Sequence, residues 1–395
     1  MIKAPIFRRF FFTEIDRKEL VKKKRYFSIS ADLLQGGKPC AIDLYVNSST
    51  VQGRDKFVKV HHRFKELSQI EINTYVLKYH QLYVLEAQRK LYLREIFQRE
   101  DLKDSKKAEV MKNVAIDHLK LIFNSQDEKE GENLFENDVM SCRDSVVEMI
   151  EFIEGKSLRQ MQQILGEVYT HDSYTYDHSV NVAFYSVIFL KFSRPNSSKE
   201  ELLTIGLSGL LHDLGKRKIS TTILNNPGQL TDEQFTQIKK HPEYGEQLMG
   251  ACSCEGISPK MQRAITKVIL EHHENVNGTG YPSGLNGDEI SLYSKMVAIT
   301  DFFDAITSYR SYHEPLSYES ALVLMTNSVG KKIDGNLFDD FKKCVGGIII
   351  KGNTFLELPE DFDPCRPQNV LPFRKREPKY IKKDINQNRK VKKAA

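Results

Sequence analysis

The stretch Leu210-Leu211-His212-Asp213-Leu214-Gly215-Lys216 ends an apolar run in an adjacent His-Asp pair, followed by glycine and lysine. An imidazole nitrogen and a carboxylate able to bridge two ions are the side chains best matched to hard and borderline divalent cations. A single dipeptide of this kind decides nothing, because such pairs also occur as ordinary solvated polar residues. Its meaning depends on what the neighbouring segments bring to it.

They bring helices. Val180 to Lys191 and Glu201 to Leu214 are apolar segments with helical patterning. Thr231-Asp232-Glu233-Gln234 is a capping box, and it predicts a helix running through about Met249. Ser258-Pro259 places an N-cap before a first-turn proline and opens a helix toward His273. Ser291 to Ser308 and Ser317 to Val329 complete the set, with Gly347-Ile348-Ile349-Ile350 as a strand-like exception. Residues 167–355 are therefore expected to form an all-α domain.

The histidines of this region are His171, His178, His212, His241, His272, His273 and His313. His178 opens a helix, His212 and Asp213 close one, His241 falls inside the capped helix, and His272-His273 close another. Asp301 stands between Met296-Val297-Ala298-Ile299-Thr300 and Phe302-Phe303, where burying a carboxylate is costly unless a cation compensates it. Each residue has a structural alternative. His178 suits a helix terminus, His241 before Pro242 suits the end of a turn, and Asp301 could pair with Lys295. Together those alternatives need several ligand-type side chains to fall at helix positions by coincidence.

In order along the chain, His212-Asp213 with Leu214-Gly215-Lys216, His241-Pro242, His272-His273-Glu274 and Gly278-Thr279-Gly280-Tyr281-Pro282 resemble the motifs of the HD-GYP family, a branch of the HD phosphohydrolase superfamily. Pro227-Gly228-Gln229-Leu230-Thr231, Leu285-Asn286-Gly287-Asp288-Glu289-Ile290 and the run from Asp301 to Arg310 extend the resemblance over about 180 residues. It implies a mainly α chain with a C-terminal HD-type helical bundle. That bundle would hold divalent metal ions, often iron or manganese, and hydrolyse cyclic di-GMP to linear pGpG or GMP in bacterial second-messenger signalling. Carried over position by position, Asp213 would bridge two ions. His178, His212 and Asp301 would complete one site, and His241, His272 and His273 the other.

The chemistry suits those residue types, since two ions about 3.5–4 Å apart can activate a hydroxide and neutralise charge on phosphoryl oxygens. Asp213 and Lys216 are the catalytic candidates, Lys216 because an ammonium one turn past the pair can hold a phosphate; it could equally be a solvated lysine beside Arg217 and Lys218. Arg310 could clamp a second phosphate in bidentate fashion. Gly280 and Pro282 shape a loop on which Tyr281 could meet a guanine, although a plain tight turn would look similar.

Four departures from the family pattern matter. Asn277-Gly278 replaces the usual Asp-Gly, and Lys295 replaces an arginine, keeping the charge but losing the planar fork. Ser311-Tyr312-His313 replaces a Pro-Tyr-basic segment, removing one phosphate cation. Tyr174 stands where three-metal members carry glutamate, with Asp172 and Asp177 at other offsets, so two metals are expected rather than three. The metal set is complete and the substrate contacts are thinned. An active cyclic di-GMP phosphodiesterase is the leading reading; a slow or inactive metal-containing receptor for the dinucleotide, or a hydrolase of another cyclic nucleotide, stands beside it.

A chain of 395 residues is long for one core, so several domains are expected. Residues 1–100 read as a small α+β regulatory or interaction domain through which protein partners could act. Its strands are expected at Ala41–Val46, Phe57–Val60, Ile70–Leu77 and Leu82–Leu85, with a helical turn at Arg63–Leu67. His61-His62 lacks a third ligand nearby. Residues 101–166 read as a helical connector, with Val110, Val114, Leu119 and Ile122 at helical spacing. Residues 356–395 form a basic tail, its ten Lys/Arg from Arg374 onward giving a net of +8 where the whole chain has +5. Such an end is disordered and solvated, or makes weak contacts with anionic partners. No apolar run approaches the roughly 18–20 residues of a membrane span, and Met1–Phe12 lacks a cleavable signal, so a cytoplasmic protein is expected. The six cysteines are scattered and are expected as reduced thiols.

Overall fold

The computed structural model describes residues 25–49, 55–79, 81–124, 132–168, 175–224, 226, 230–308 and 316–346. It divides into two units, Met1–Asp101 and Leu102–Ala395. The expected strand at 347–350, the basic tail, His171, Tyr174, Arg310 and His313 lie outside the described residues.

In the N-terminal unit, β1 (Tyr26–Ile29), β3 (Leu44–Asn47), β4 (Phe57–His61) and β6 (Leu82–Leu85) form an antiparallel sheet in the order β1-β6-β3-β4. β2 (Lys38–Pro39) and β5 (Glu66–Leu67) pair as a separate ribbon. Among the described residues two α-helices, α1 (Gln69–Lys78) and α2 (Arg89–Gln98), accompany the strands. Phe27, Ile29, Ile42, Leu44, Leu82, Val84, Leu93 and Ile96 are buried. Asp43 is a buried polar node. It accepts the Arg63 backbone N–H at 2.9 Å and the Gln88 amide at 2.9 Å, and its carboxylate lies 3.1 Å from the Lys59 ammonium. Burial alone would raise its carboxyl; the two hydrogen bonds and Lys59 outweigh that and hold it below the usual range.

Two expectations here are corrected. Ile70–Leu77, read as a strand, belongs to α1. Ser68 and Glu71 form a reciprocal capping box, with Ser68 Oγ accepting from the Glu71 N–H at 3.2 Å and Glu71 accepting from the Ser68 N–H at 2.8 Å. The apolar residues there do not mark a buried strand face: Ile72 is buried while Ile70 and Leu77 are exposed. Arg63–Leu67, read as a helical turn, is a turn running into β5. β1 was not anticipated.

The C-terminal unit is helical: α3 (Asp104–Asn124), α4 (Glu132–Ile153), α5 (Leu158–Val168), α6 (Thr175–Ser193), α7 (Lys199–Leu211), α8 (Thr221–Leu224), α9 (Asp232–Ile238), α10 (His241–Ala251), α11 (Pro259–Glu271), α12 (Leu292–Thr307), α13 (Tyr318–Thr326) and α14 (Gly335–Val345). α6 and α7 are apolar nearly all round, which marks central helices. Val180 to Leu190 and Leu202 to Leu211 are buried throughout. α6 packs on α7, α12, α14 and α3, while α10 packs on α11 and on the 3-10 turn Leu214–Lys218. α3 and α4, expected as a connector, pack on α6 and α7 within the same unit.

The helix expected from Thr231 through Met249 is two helices. Proline is tolerated only in the first turn of a helix. Accordingly α9 ends at Ile238, and α10 restarts at His241 with Pro242 in its opening turn. His241 thereby moves from a helix interior to a helix start. α14 was not anticipated, although Asp334 caps it and Phe338, Phe341 and Val345 bury one face. Cys252 and Cys254 are joined in a disulfide where thiols were expected. The chain turns as α10 ends and brings their Cα atoms to 5.7 Å, within disulfide reach. No helix among the described residues is long and apolar enough to cross a membrane.

Candidate metal centre

The ends of α7, α10 and α11, the 3-10 turn after α7, the first turns of α6 and the interior of α12 converge here. His212 is the C-cap of α7, and Asp213 follows it at the head of the 3-10 turn. His241 begins α10; His272 is the C-cap of α11, with His273 next to it. His178 comes from α6 and Asp301 from α12. All seven are buried. Their ligand-type atoms fall into two groups, Asp213 with His241, His272 and His273, and His178 with His212 and Asp301, each within 4.8 Å.

The convergence depends on one close crossing. A Cβ on Gly215 would collide with the His241 carbonyl oxygen, and one on Gly245 would meet Ile269 at 2.6 Å. Glycine at both positions lets the turn after Asp213 lie against α10, which sets Asp213 beside His241.

Local hydrogen bonds decide which ring nitrogens face inward. Nδ1 of His212 lies 2.8 Å from the Gly209 carbonyl, that of His241 2.8 Å from Ile238, and that of His272 2.7 Å from Ile269. A carbonyl can only accept, so each Nδ1 carries the proton and each Nε2 is left with its lone pair. His178 Nδ1 donates to Asp304 Oδ2 at 2.7 Å, and its Nε2 lies 3.0 Å from Asp301 Oδ1.

The inward atoms are crowded acceptors. His241 Nε2 is 3.1 Å from His272 Nε2 and 3.3 Å from Asp213 Oδ1, while His212 Nε2 is 3.4 Å from Asp213 Oδ2. Buried His212 Nε2 and Asp213 Oδ1 make no hydrogen bond. Leaving a buried polar atom unsatisfied costs about 1–3 kcal/mol. Lone pairs that face one another with no proton between them are relieved by a cation, so the donor set fits divalent metal. Asp213 addresses both groups, with Oδ2 toward His212 and Oδ1 toward His241.

Protonation states agree with that fit. Burial is the main cause that drives His241, His272 and His273 well below the usual imidazole range. Burial opposes ionisation of Asp213, but Lys216, His212 and His241 outweigh it and hold the carboxyl well below its ordinary value. Asp301 is likewise lowered against burial, chiefly by His178, whose Nε2 lies 3.0 Å away, and by His212. Neutral rings and ionised carboxylates are the forms metals bind.

The substrate candidates are placed differently from one another. Lys216 Nζ lies 2.6 Å from Asp213 Oδ2, so its ammonium sits on the carboxylate. Lys295 pairs with Asp334, the N-cap of α14, at 3.7 Å, and not with Asp301. Gly280 has no room for a Cβ against the backbone of Glu274 and Asn275. Tyr281 stacks on His273, with ring centroids 4.8 Å apart and 24° between planes, and Lys239 Nζ lies 5.3 Å from the Tyr281 ring. The Tyr281–Pro282 peptide is cis.

Three residues with structural roles around the centre had been given none from sequence. Asp304 is fully buried and accepts from His178, from Asn181 at 2.9 Å and from the Ser308 hydroxyl at 2.9 Å. A second carboxylate three residues past Asp301 in an apolar helix was the available signal. Asn181 steadies Asp304 from α6. Glu274 accepts the N–H groups of Ser283 at 2.7 Å, Gly284 at 3.1 Å and Leu285 at 3.0 Å, and so anchors the loop that lays Tyr281 on His273.

Residues 190–337 match the HD domain family. The chain is 36% identical over 202 residues to a cyclic di-GMP phosphodiesterase of Pseudomonas aeruginosa, covering 50% of this chain and 46% of that one. It is 31% identical over 190 residues to 3'3'-cGAMP-specific phosphodiesterase 3 of Vibrio cholerae, covering 48% and 39%. It is 34% identical over 160 residues to the cyclic di-GMP phosphodiesterase response regulator RpfG of Xanthomonas campestris, covering 40% and 39%. The chain thus spans less than half the length of these curated relatives. A solved structure, an HDG"Y"P protein from Bdellovibrio bacteriovorus, superimposes with a TM-score of 0.51 at 18% identity, over 82% of this chain and 100% of that one, a likeness of fold. The chain thus carries an HD domain over residues 190–337, similar in sequence to parts of cyclic di-GMP and 3'3'-cGAMP phosphodiesterases.

Proposed function

We propose that this protein is a metal-dependent cyclic-dinucleotide phosphodiesterase that takes two divalent cations, iron or manganese, and hydrolyses cyclic di-GMP to linear pGpG or GMP. The observation that carries the reading is Asp213, a buried ionised carboxylate whose two oxygens address two separate groups of ligand-type atoms. Two bound divalent cations would supply a nucleophile at neutral pH and neutralise charge on the phosphoryl oxygens.

The chain's own residues do the rest. Backbone carbonyls at three helix ends hold the imidazoles in one tautomer. Burial keeps the His241, His272 and His273 rings neutral and keeps bulk water from the ligand atoms. Lys216 balances Asp213 and is the cation nearest to the bridging position for a substrate phosphate. Arg217 and Lys218 after it, with Lys239 and Lys240 before His241, add positive charge suited to a substrate carrying two phosphodiesters. The names of the relatives divide between cyclic di-GMP and 3'3'-cGAMP, so both are substrates to assay.

A second reading, a metal-containing receptor with little turnover, draws support from Lys216 and Lys295 both being engaged by carboxylates. The test is anaerobic reconstitution with Fe(II) or Mn(II), then metal content and turnover of both dinucleotides. Two metals per chain with hydrolysis, both lost in Asp213→Ala, support the enzyme. Two metals with binding and no turnover support the receptor. A folded protein that takes up no metal refutes both.

A further inference from the structure

α6 delivers His178 from its first turns, and the start of a helix is its least secured part, because its leading N–H groups have no partner within the helix. From the inner side the ring is held by Asp304 and faces Asp301. From the outer side, α3 grips the same turn at two adjacent residues. The Lys112 ammonium lies 3.1 Å from the Asp177 carboxylate, with side-chain exposures of 7% and 17%. The Phe123 ring meets that of Tyr176 at 5.6 Å between centroids. Burying a lysine is costly, and it is retained where a paired charge compensates it. Asp177 immediately precedes His178, so the ion pair fixes the backbone from which that ring projects.

We infer that Lys112 and Asp177 are positioning residues for the His178–His212–Asp301 metal position and act through the first turn of α6. This inference rests on the metal-centre reading above. Neither residue would touch a cation. Without the Lys112 ammonium, the partly buried Asp177 carboxylate has lost this partner, and its turn shifts outward toward water, taking the His178 ring away from Asp301. The Asp213–His241–His272–His273 group comes from α10, α11 and the 3-10 turn, and the pair does not brace it. The effect is therefore selective for one of the two positions. α3 is also the first helix after the boundary with the N-terminal unit, so a change that displaces α3 alters this grip.

The experiment is Mn²⁺ titration of metal-free full-length protein, read by calorimetry and by bound Mn²⁺ per chain, with thermal melting to confirm folding. Wild-type protein is expected to take two Mn²⁺. Lys112→Met keeps one at wild-type affinity and binds the second about 10–100-fold more weakly, the range seen when a residue supporting a ligand is removed. Lys112→Arg, which keeps the charge, restores the second site. If Lys112→Met does not fold, Lys112→Met/Asp177→Asn removes both charges of the pair that fixes the turn and is held to the same outcome. A folded variant with both affinities unchanged, or with both weakened alike, overturns the inference and leaves the metal-centre reading intact. Wild-type protein that binds no Mn²⁺ overturns both.

Discussion

Asp304→Asn isolates a residue that supports a ligand without being one. In the native structure Asp304 Oδ2 accepts from His178 Nδ1 at 2.7 Å, and Oδ1 accepts from Asn181 at 2.9 Å and Ser308 at 2.9 Å. Asparagine keeps the shape but has one acceptor oxygen and one NH₂ where the carboxylate has two acceptors. If the oxygen turns to His178, the ring keeps its tautomer but exchanges a charge-assisted hydrogen bond for a neutral one of roughly half the strength. The NH₂ then meets Asn181, whose own amide must turn round to accept. If instead the NH₂ turns to His178, Nδ1 must accept, the proton moves to Nε2, and that nitrogen can no longer bind a cation. Either orientation weakens the position formed by His178, His212 and Asp301. Loss of such a supporting carboxylate costs about 10–100-fold in metal affinity, or about 1.4–2.7 kcal/mol. Mn²⁺ titration with one tight and one weakened site is the expected result, with little change in the tight site. Equal, unweakened binding of two Mn²⁺ by folded Asp304→Asn would refute the reasoning that this hydrogen bond sets the ligand's orientation.

Other substitutions probe other links. Gly215→Ala should push the 3-10 turn off α10, since its Cβ meets the His241 carbonyl; a loss of about 1–3 kcal/mol is expected by urea denaturation, and unchanged stability would show that the crossing is not tight. Glu274→Gln should leave metal content intact while the amides of Ser283, Gly284 and Leu285 lose hydrogen-exchange protection, because a neutral amide cannot match the carboxylate that accepts all three. For pH, the Asp43 carboxyl is depressed in the folded state. The stability it contributes is therefore present above its unfolded pKa, about 3.9, and is lost as pH falls through the lower folded value. The stability difference between wild type and Asp43→Asn should be full at pH 7 and shrink as pH falls below the unfolded value; a difference that grows on acidification would contradict the assignment. Chelation of a reconstituted sample should lower Tm, by an amount corresponding to about 2.7 kcal/mol for each site held at a hundredfold excess over its Kd.

Short-range physics made much of this molecule legible in its amino-acid order. Helix starts at Thr231, Ser258 and Ser291 follow from hydroxyl side chains that accept N–H groups within three residues. That His178, His212, Asp213, His241, His272, His273 and Asp301 are ligand-type side chains is visible in the sequence, since ligand chemistry belongs to the side chain, but their selection as a set came from the family resemblance. The same local reasoning failed where two patterns compete. Ile70–Leu77 carries both strand-like and helical spacing, and the Ser68–Glu71 cap settles it as α1. Pro242 divides a capped helix that periodicity alone would have run through.

Tertiary structure decided what distance decides. His178 and Asp304 are 126 positions apart in the chain, and His241 and His272 are 31 apart. No local rule says that the first pair shares a proton or that the second pair's lone pairs face each other at 3.1 Å. Packing also gave Lys216 to Asp213, Lys295 to Asp334 and Lys112 to Asp177. An ammonium's partner depends on which helix lies across from it, and that is set by how apolar faces stack. The amino-acid order therefore specifies which groups can hold a metal. The fold specifies which of them meet, in which tautomer, and what holds them there.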